Sequence, residues 1–125
     1  MKFRHVHVAA MLVLAACSGR SPGQQSANPP FVSTPIADFN SPWALAFLPG
    51  TNRALVTEKR GRIWLVDIAS GAKQEISGVP KVRAGGQGGL LDIALSPRFA
   101  SDRLVYLSYS EPSPESGSGL ALARA

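Results

Sequence analysis

One pattern occurs twice in this chain, about fifty residues apart, and it restricts the fold more than any other feature. Ala44-Leu45-Ala46-Phe47-Leu48-Pro49 is matched by Asp92-Ile93-Ala94-Leu95-Ser96-Pro97, and Arg53-Ala54-Leu55-Val56 by Arg103-Leu104-Val105-Tyr106. The offset is 97 − 49 = 48 for the prolines and 103 − 53 = 50 for the arginines. Repeats of about 40 to 50 residues, each a four-stranded meander, mark the blades of a propeller.

The residues within each copy fit that reading. Trp43 to Leu48 is short and apolar, and Pro49-Gly50-Thr51-Asn52 is turn chemistry. Ala54 to Glu58 reads as a second strand, Ile63 to Asp67 as a third, and Gln74 to Ile76 as a short outer one. Glycines at Gly61 and Gly71 punctuate them. Gly89 to Leu95 then begins a second copy, followed by the Ser96-Pro97 turn and a strand over Arg103 to Tyr109. Short strands at close, regular spacing predict an antiparallel all-β meander.

A single blade cannot bury both faces of its sheet; its neighbours do that. Propellers close with about four to eight blades. One blade and about half of another are expected here. Leu120 to Ala125 reads as a strand with no cap or turn after it, so the chain is expected to be the front piece of a larger propeller. An uncovered blade face and an open edge predict poor solubility for such a piece alone.

The beginning of the chain has a different character. Lys2 and Arg4 precede an apolar run from Val6 to Ala16. A run of about ten residues is too short for a spanning helix, which needs roughly twenty. A basic start and a short apolar run instead read as a signal peptide over residues 1–16. Leu14-Ala15-Ala16-Cys17 closes it and resembles the lipobox of bacterial lipoproteins. Cys17 would carry the lipid, and its acyl chains would anchor the protein in a membrane. Ser18 after the cysteine resembles an outer-membrane address facing the periplasm. Cys17 is the one cysteine, so no internal disulfide forms. Residues 17–37 then read as the lipidated cysteine and a polar tether rich in Pro and Gly. The propeller domain is expected over 38–125.

The net charge of +5 includes Lys2 and Arg4; without them eleven basic face eight acidic residues, or +3. The basic residues are scattered near turns. Nucleic-acid binding needs a basic stripe with base-reading or stacking groups, and no such stripe is present. Nucleic acid is therefore not an expected partner.

Five segments, in order, carry a family resemblance. They are Asn40 to Gly50, Leu55-Val56-Thr57-Glu58-Lys59, Gly78-Val79-Pro80-Lys81-Val82, Gly86-Gln87-Gly88-Gly89-Leu90-Leu91-Asp92-Ile93-Ala94-Leu95-Ser96-Pro97-Arg98-Phe99, and Leu104 to Ser110. Together they resemble the soluble glucose/sorbosone dehydrogenase family, especially its aldose sugar dehydrogenases. Arg83-Ala84-Gly85-Gly86 departs slightly from the family's usual approach to the glycine loop. The resemblance implies a six-bladed propeller holding pyrroloquinoline quinone (PQQ) in the mouth of its channel, with calcium beside it. It also implies oxidation of an aldose C1 hydroxyl to a lactone, a histidine general base, and electrons leaving to a periplasmic acceptor.

The resemblance places Gln87, with Gly88, at the cofactor and sugar. A carboxamide both donates and accepts hydrogen bonds, which suits hydroxyls and quinone oxygens. Gly86, Gly88 and Gly89 let backbone approach a ligand. Read from the residues alone, a solvated turn between blades is the simpler account. Glu58 ends an inner strand, where it faces either the channel or an ion pair with Lys59, Arg60 or Arg62. Asp92 is expected to bond backbone or a neighbouring blade. Trp43, Trp64, Phe47 and Tyr106 read as core, with a rim aromatic against sugar as the alternative.

His5 and His7 are the only histidines, and both fall in the leader. The general base is therefore expected downstream of Ala125, as are the cations that hold the quinone carboxylates. No Asp/Asn cluster reads as a calcium loop, so no metal ligand is expected in this piece, which alone should be inactive. A propeller lactonase, or a non-catalytic cell-surface propeller that binds sugar or protein, are the competing readings. A fold does not by itself decide among them.

Overall fold

The computed structural model describes residues 30–115 and 117–125, and the fold below lies within residues 34–125. The expected leader, Cys17 and the tether before residue 30 lie outside the described residues. Strands β1 (Pro42–Phe47), β2 (Arg53–Glu58), β3 (Arg62–Asp67) and β4 (Lys73–Ile76) form one antiparallel sheet in chain order. Strands β5 (Leu90–Leu95), β6 (Val105–Pro112) and β7 (Ser118–Arg124) form a second, with the single-turn helix α1 (Phe99–Asp102) between β5 and β6.

Turn chemistry fixes the first meander. Leu48 N–H donates to Arg53 O at 2.9 Å across the β1–β2 turn, and Gly61 N–H donates to Glu58 O at 2.9 Å across the next. Asp67 closes the β3–β4 turn by accepting from the amides of Ala69 and Ser70 and from the Ser70 hydroxyl. The bonds from Ser70 hold its carboxyl below the ordinary value of 3.8. Gly71, at φ +72, brings this turn against the Ile36 carbonyl, where a Cβ would collide.

Both inner strands carry the same irregularity. The β1–β2 register shifts between Pro42 and Leu45, and the β5–β6 register between Leu90 and Ile93. Each is one extra residue on the inner strand, a bulge. A hydroxyl from the partner strand satisfies the amide that each bulge frees. Ala44 N–H donates to Thr57 Oγ1 at 3.0 Å, and Asp92 N–H donates to Ser108 Oγ at 3.1 Å. The Asp92 carboxylate bonds backbone, as expected, by accepting from Ile93 N–H at 2.9 Å.

The structure corrects the repeat in one place. Phe47 pairs with Ala54 and Leu95 with Val105, so the second-strand offset is 105 − 54 = 51. Arg103 is therefore not the partner of Arg53. It caps α1 in the left-handed conformation at φ +57. The connection is 51 − 48 = 3 residues longer than in the first copy, and α1 takes them up in place of the tight turn. Ser96 Oγ donates to Asp102 Oδ2 at 2.6 Å, and Leu104 N–H donates to Asp102 Oδ1 at 3.0 Å, fixing that corner. β4 and β7 also begin earlier than expected, at Lys73 and Ser118.

The two sheets pack face to face. Leu55 and Ile63 of the first meet Leu90, Ile93, Leu107 and Tyr109 of the second in one buried cluster. Thr57, fully buried, ties the sheets by donating to Leu91 O at 2.8 Å. The outer face of the first sheet is only partly covered. The segment leading into β1 lies over β3 and β4, with the Lys73 ammonium between the rings of Phe39 and Trp64. On the β1 side Trp43, Leu45 and Phe47 are 45%, 51% and 64% exposed. Trp43 and Phe47 are thus not core among the described residues, since both remain exposed. Leu120 and Leu122 are exposed on β7.

Candidate functional site

The glycine loop forms at one end of the interface between the two sheets. Gly85 N–H donates to Gly88 O at 3.2 Å and Gly88 N–H to Gly85 O at 2.7 Å. This closes a two-residue turn with Gly86 and Gln87 at its tip. Gly86 has φ +52, and Gln87 has no positive φ. A glycine at the first central position is what a type II′ turn requires. Gln87 is therefore exposed at the tip, with its carboxamide free to meet a ligand.

Two elements hold the loop. From β6, Ser110 donates its N–H to Gly89 O at 2.8 Å and accepts from Arg83 N–H at 2.8 Å and, through its hydroxyl, from Gly89 N–H at 3.2 Å. A Cβ on Gly88 would lie 2.8 Å from that hydroxyl, so Gly88 is needed for the loop to seat. From the end of β2, Lys59 O accepts from Leu90 N–H at 2.9 Å, and Lys59 Nζ donates to the Gly86 carbonyl. Gly89, at φ +149, lies where any Cβ would collide with Lys59 O. Ser41, Lys59, Arg60, Ala84 and Gly85 line a cleft of about 390 Å³ beside the turn.

Glu58 is nearby but turned inward. It is buried, and its Oε1 accepts from Asn40 N–H at 2.7 Å. No ion pair with Lys59, Arg60 or Arg62 forms among the described residues: the carboxylate anchors the chain entering β1. The one ion pair among the described residues is Arg62 Nε to Glu75 Oε1 at 3.9 Å, on the surface. At the same end of β6, Tyr109 O–H donates to Glu111 Oε1 at 3.4 Å, and burial, then the Glu111 charge, push its phenol up.

The structure places Gln87 and Gly88, the two residues singled out from sequence, on one turn. The sequence did not mark Lys59 and Ser110 as the groups that hold their loop. Lys59 sits beside Glu58 in a segment already singled out, but its reach to a loop 27 residues later leaves no local signal.

An all-β pair of bulged meanders, with a glycine-rich hairpin at the junction of the two sheets, is the arrangement of neighbouring propeller blades. The chain belongs to the Glucose / Sorbosone dehydrogenase family, which matches residues 39–125. Aldose sugar dehydrogenase YliI of Escherichia coli (strain K12) is 46% identical over 84 residues, covering 67% of this chain and 23% of that protein. Quinoprotein glucose dehydrogenase B of Acinetobacter calcoaceticus is 31% identical over 83 residues, covering 65% and 17%. The structure of the PQQ-bound form of aldose sugar dehydrogenase from Streptomyces coelicolor is similar at a TM-score of 0.63 and 42% identity, over 71% of this chain and 25% of that one. The chain thus spans about a quarter of the length of such relatives, and its two sheets are blades of their propeller.

The donor set at the loop fits one wall of a site for PQQ. Gln87 offers both donor and acceptor, and Arg60 puts positive charge beside the cleft, which suits a polyanionic quinone. Among the described residues no three His, Cys, Asp or Glu side chains come together to hold a metal ion.

Proposed function

We propose that this chain provides the first wall of the active site of a PQQ-dependent dehydrogenase that oxidises the C1 hydroxyl of aldoses to lactones. The observation that carries the reading is the turn at Gly86-Gln87. It presents one carboxamide at the junction of two blades, in a chain 42% identical to a PQQ-bound aldose sugar dehydrogenase. PQQ, when bound, supplies the hydride acceptor. Gln87 orients the quinone or the sugar hydroxyl by hydrogen bonds, and Gly88 keeps the backbone low enough for the turn to sit against β6. The histidine base and the calcium ligands belong to parts of the full-length protein outside the described residues. Electrons then pass to a periplasmic acceptor.

The proposal includes the cellular setting. Residues 1–16 direct export, and Cys17 carries the lipid that holds the enzyme at the outer membrane, facing the periplasm. Cys17→Ser in the full-length gene product should release it from the membrane fraction or block its processing; unchanged fractionation removes the anchor.

The activity is tested by reconstituting the full-length gene product with PQQ and calcium and following dye reduction by several aldoses. Sugar-dependent reduction is expected. Failure to bind PQQ, together with no reduction by any sugar, rejects the reading.

A further inference from the structure

We propose that Lys59 is a positioning residue for Gln87: its ammonium, reaching across the blade junction, fixes the turn that carries the carboxamide. This rests on the reading of Gln87 given above. The inference comes from how unevenly the loop is held. Its base is bonded on both sides, by Ser110 through Arg83 and Gly89 and by Lys59 O through Leu90. Its tip has the two bonds between Gly85 and Gly88 and, from outside the loop, Lys59 Nζ on the Gly86 carbonyl.

Lys59 is itself held. Its N–H donates to Ser41 O at 3.0 Å, and its ammonium lies 5.7 Å from the centre of the Trp43 ring. It is half-buried, at the end of a fully paired strand. A rigid strand end thus grips a mobile type of structure, a glycine-rich hairpin, at the residue before the ligand-facing group. Lysine suits the task because a charge-assisted bond to a carbonyl is stronger than a neutral one. Chain connectivity alone would leave a turn flanked by Gly85, Gly86, Gly88 and Gly89 free to move.

The test uses the full-length gene product with three changes: Lys59→Met, which keeps the stem and removes the donors, Lys59→Arg, which restores donors, and Gln87→Ala. The first readout is amide exchange. Lys59→Met should raise exchange at the Gly88 amide by about tenfold or more while Leu55 and Val56 in β2 stay unchanged, and Lys59→Arg should restore protection. Unchanged exchange at Gly88, or an equal rise throughout β2, overturns the proposal. The second readout is PQQ titration into the protein without cofactor. Lys59→Met and Gln87→Ala should each weaken binding, and the double variant should be no weaker than Gln87→Ala alone. Fully additive losses overturn action through Gln87. If Gln87→Ala leaves the titration unchanged, the proposed site fails, and the exchange readout still decides whether Lys59 holds the turn.

Discussion

The two meanders are copies of one design under different loads. Each has an inner strand bulged at the same place and a hydroxyl on the next strand that takes the freed amide, Thr57 in the first copy and Ser108 in the second. In the first copy the hydroxyl also donates across the junction to Leu91 O. Leu45 is 51% exposed, whereas Ile93, 93 − 45 = 48 residues later, is 4% exposed. The residues before the bulges differ in the same sense. Ser41 adopts φ +56, while its repeat partner Gly89 adopts φ +149 against the Lys59 carbonyl. At the second copy the Lys59 carbonyl sits where a Cβ on residue 89 would fall, which demands glycine there.

The largest expected effect is at Gly89. Gly89→Ala puts a Cβ onto Lys59 O in a conformation that side chains avoid, and should cost about 3 kcal/mol or more in urea unfolding of the full-length gene product. A loss as small as an ordinary surface change would contradict the collision of a Cβ at Gly89 with the Lys59 carbonyl. Thr57→Val keeps shape but strands the Ala44 amide and the Leu91 carbonyl, at a cost of about 2 kcal/mol. Ser108→Ala strands the Asp92 amide alone and should cost about 1 kcal/mol. A loss at Ser108 equal to that at Thr57 would identify a further blade accepting from the Ser108 hydroxyl. Ser41→Gly should stabilise by up to about 1 kcal/mol, since it relieves a left-handed serine.

The smallest effect is on pH. Ser70 bonds lower the Asp67 carboxyl, and the Ser96 hydroxyl, then the Leu104 amide, lower that of Asp102. Both groups titrate below 3.8 in the folded chain, so their contribution is complete above 3.8 and is lost as pH falls through the lowered values. Unfolding followed from about pH 5 to about pH 2 should show this acid limb, and Asp102→Asn should flatten it.

Much of this was legible in the residues. The 48-residue inner-strand repeat and the turn glycines located the strands, because apolar runs and turn chemistry are local. The second-strand register was misread by one residue, since the matching arginines Arg53 and Arg103 play different parts and α1 absorbs the difference. Glu58 was expected in the channel or in an ion pair; its partner is a backbone amide, Asn40 N–H, which no side-chain pattern reveals. The bulges left a faint trace, a small hydroxyl on each second strand, which becomes meaningful only once the strands are paired. Gln87 stands out through family resemblance and its flanking glycines, whereas the bond from Lys59 joins segments 27 residues apart and has no local sign.

The proposed role of the Gly86-Gln87 turn is to face the quinone and its sugar. A crystal structure of the full-length gene product with PQQ and an aldose bound tests it. The Gln87 carboxamide is expected within about 3.2 Å of a quinone or sugar oxygen, with Lys59 Nζ on the Gly86 carbonyl. A ligand bound elsewhere, with Gln87 left in solvent, would contradict it.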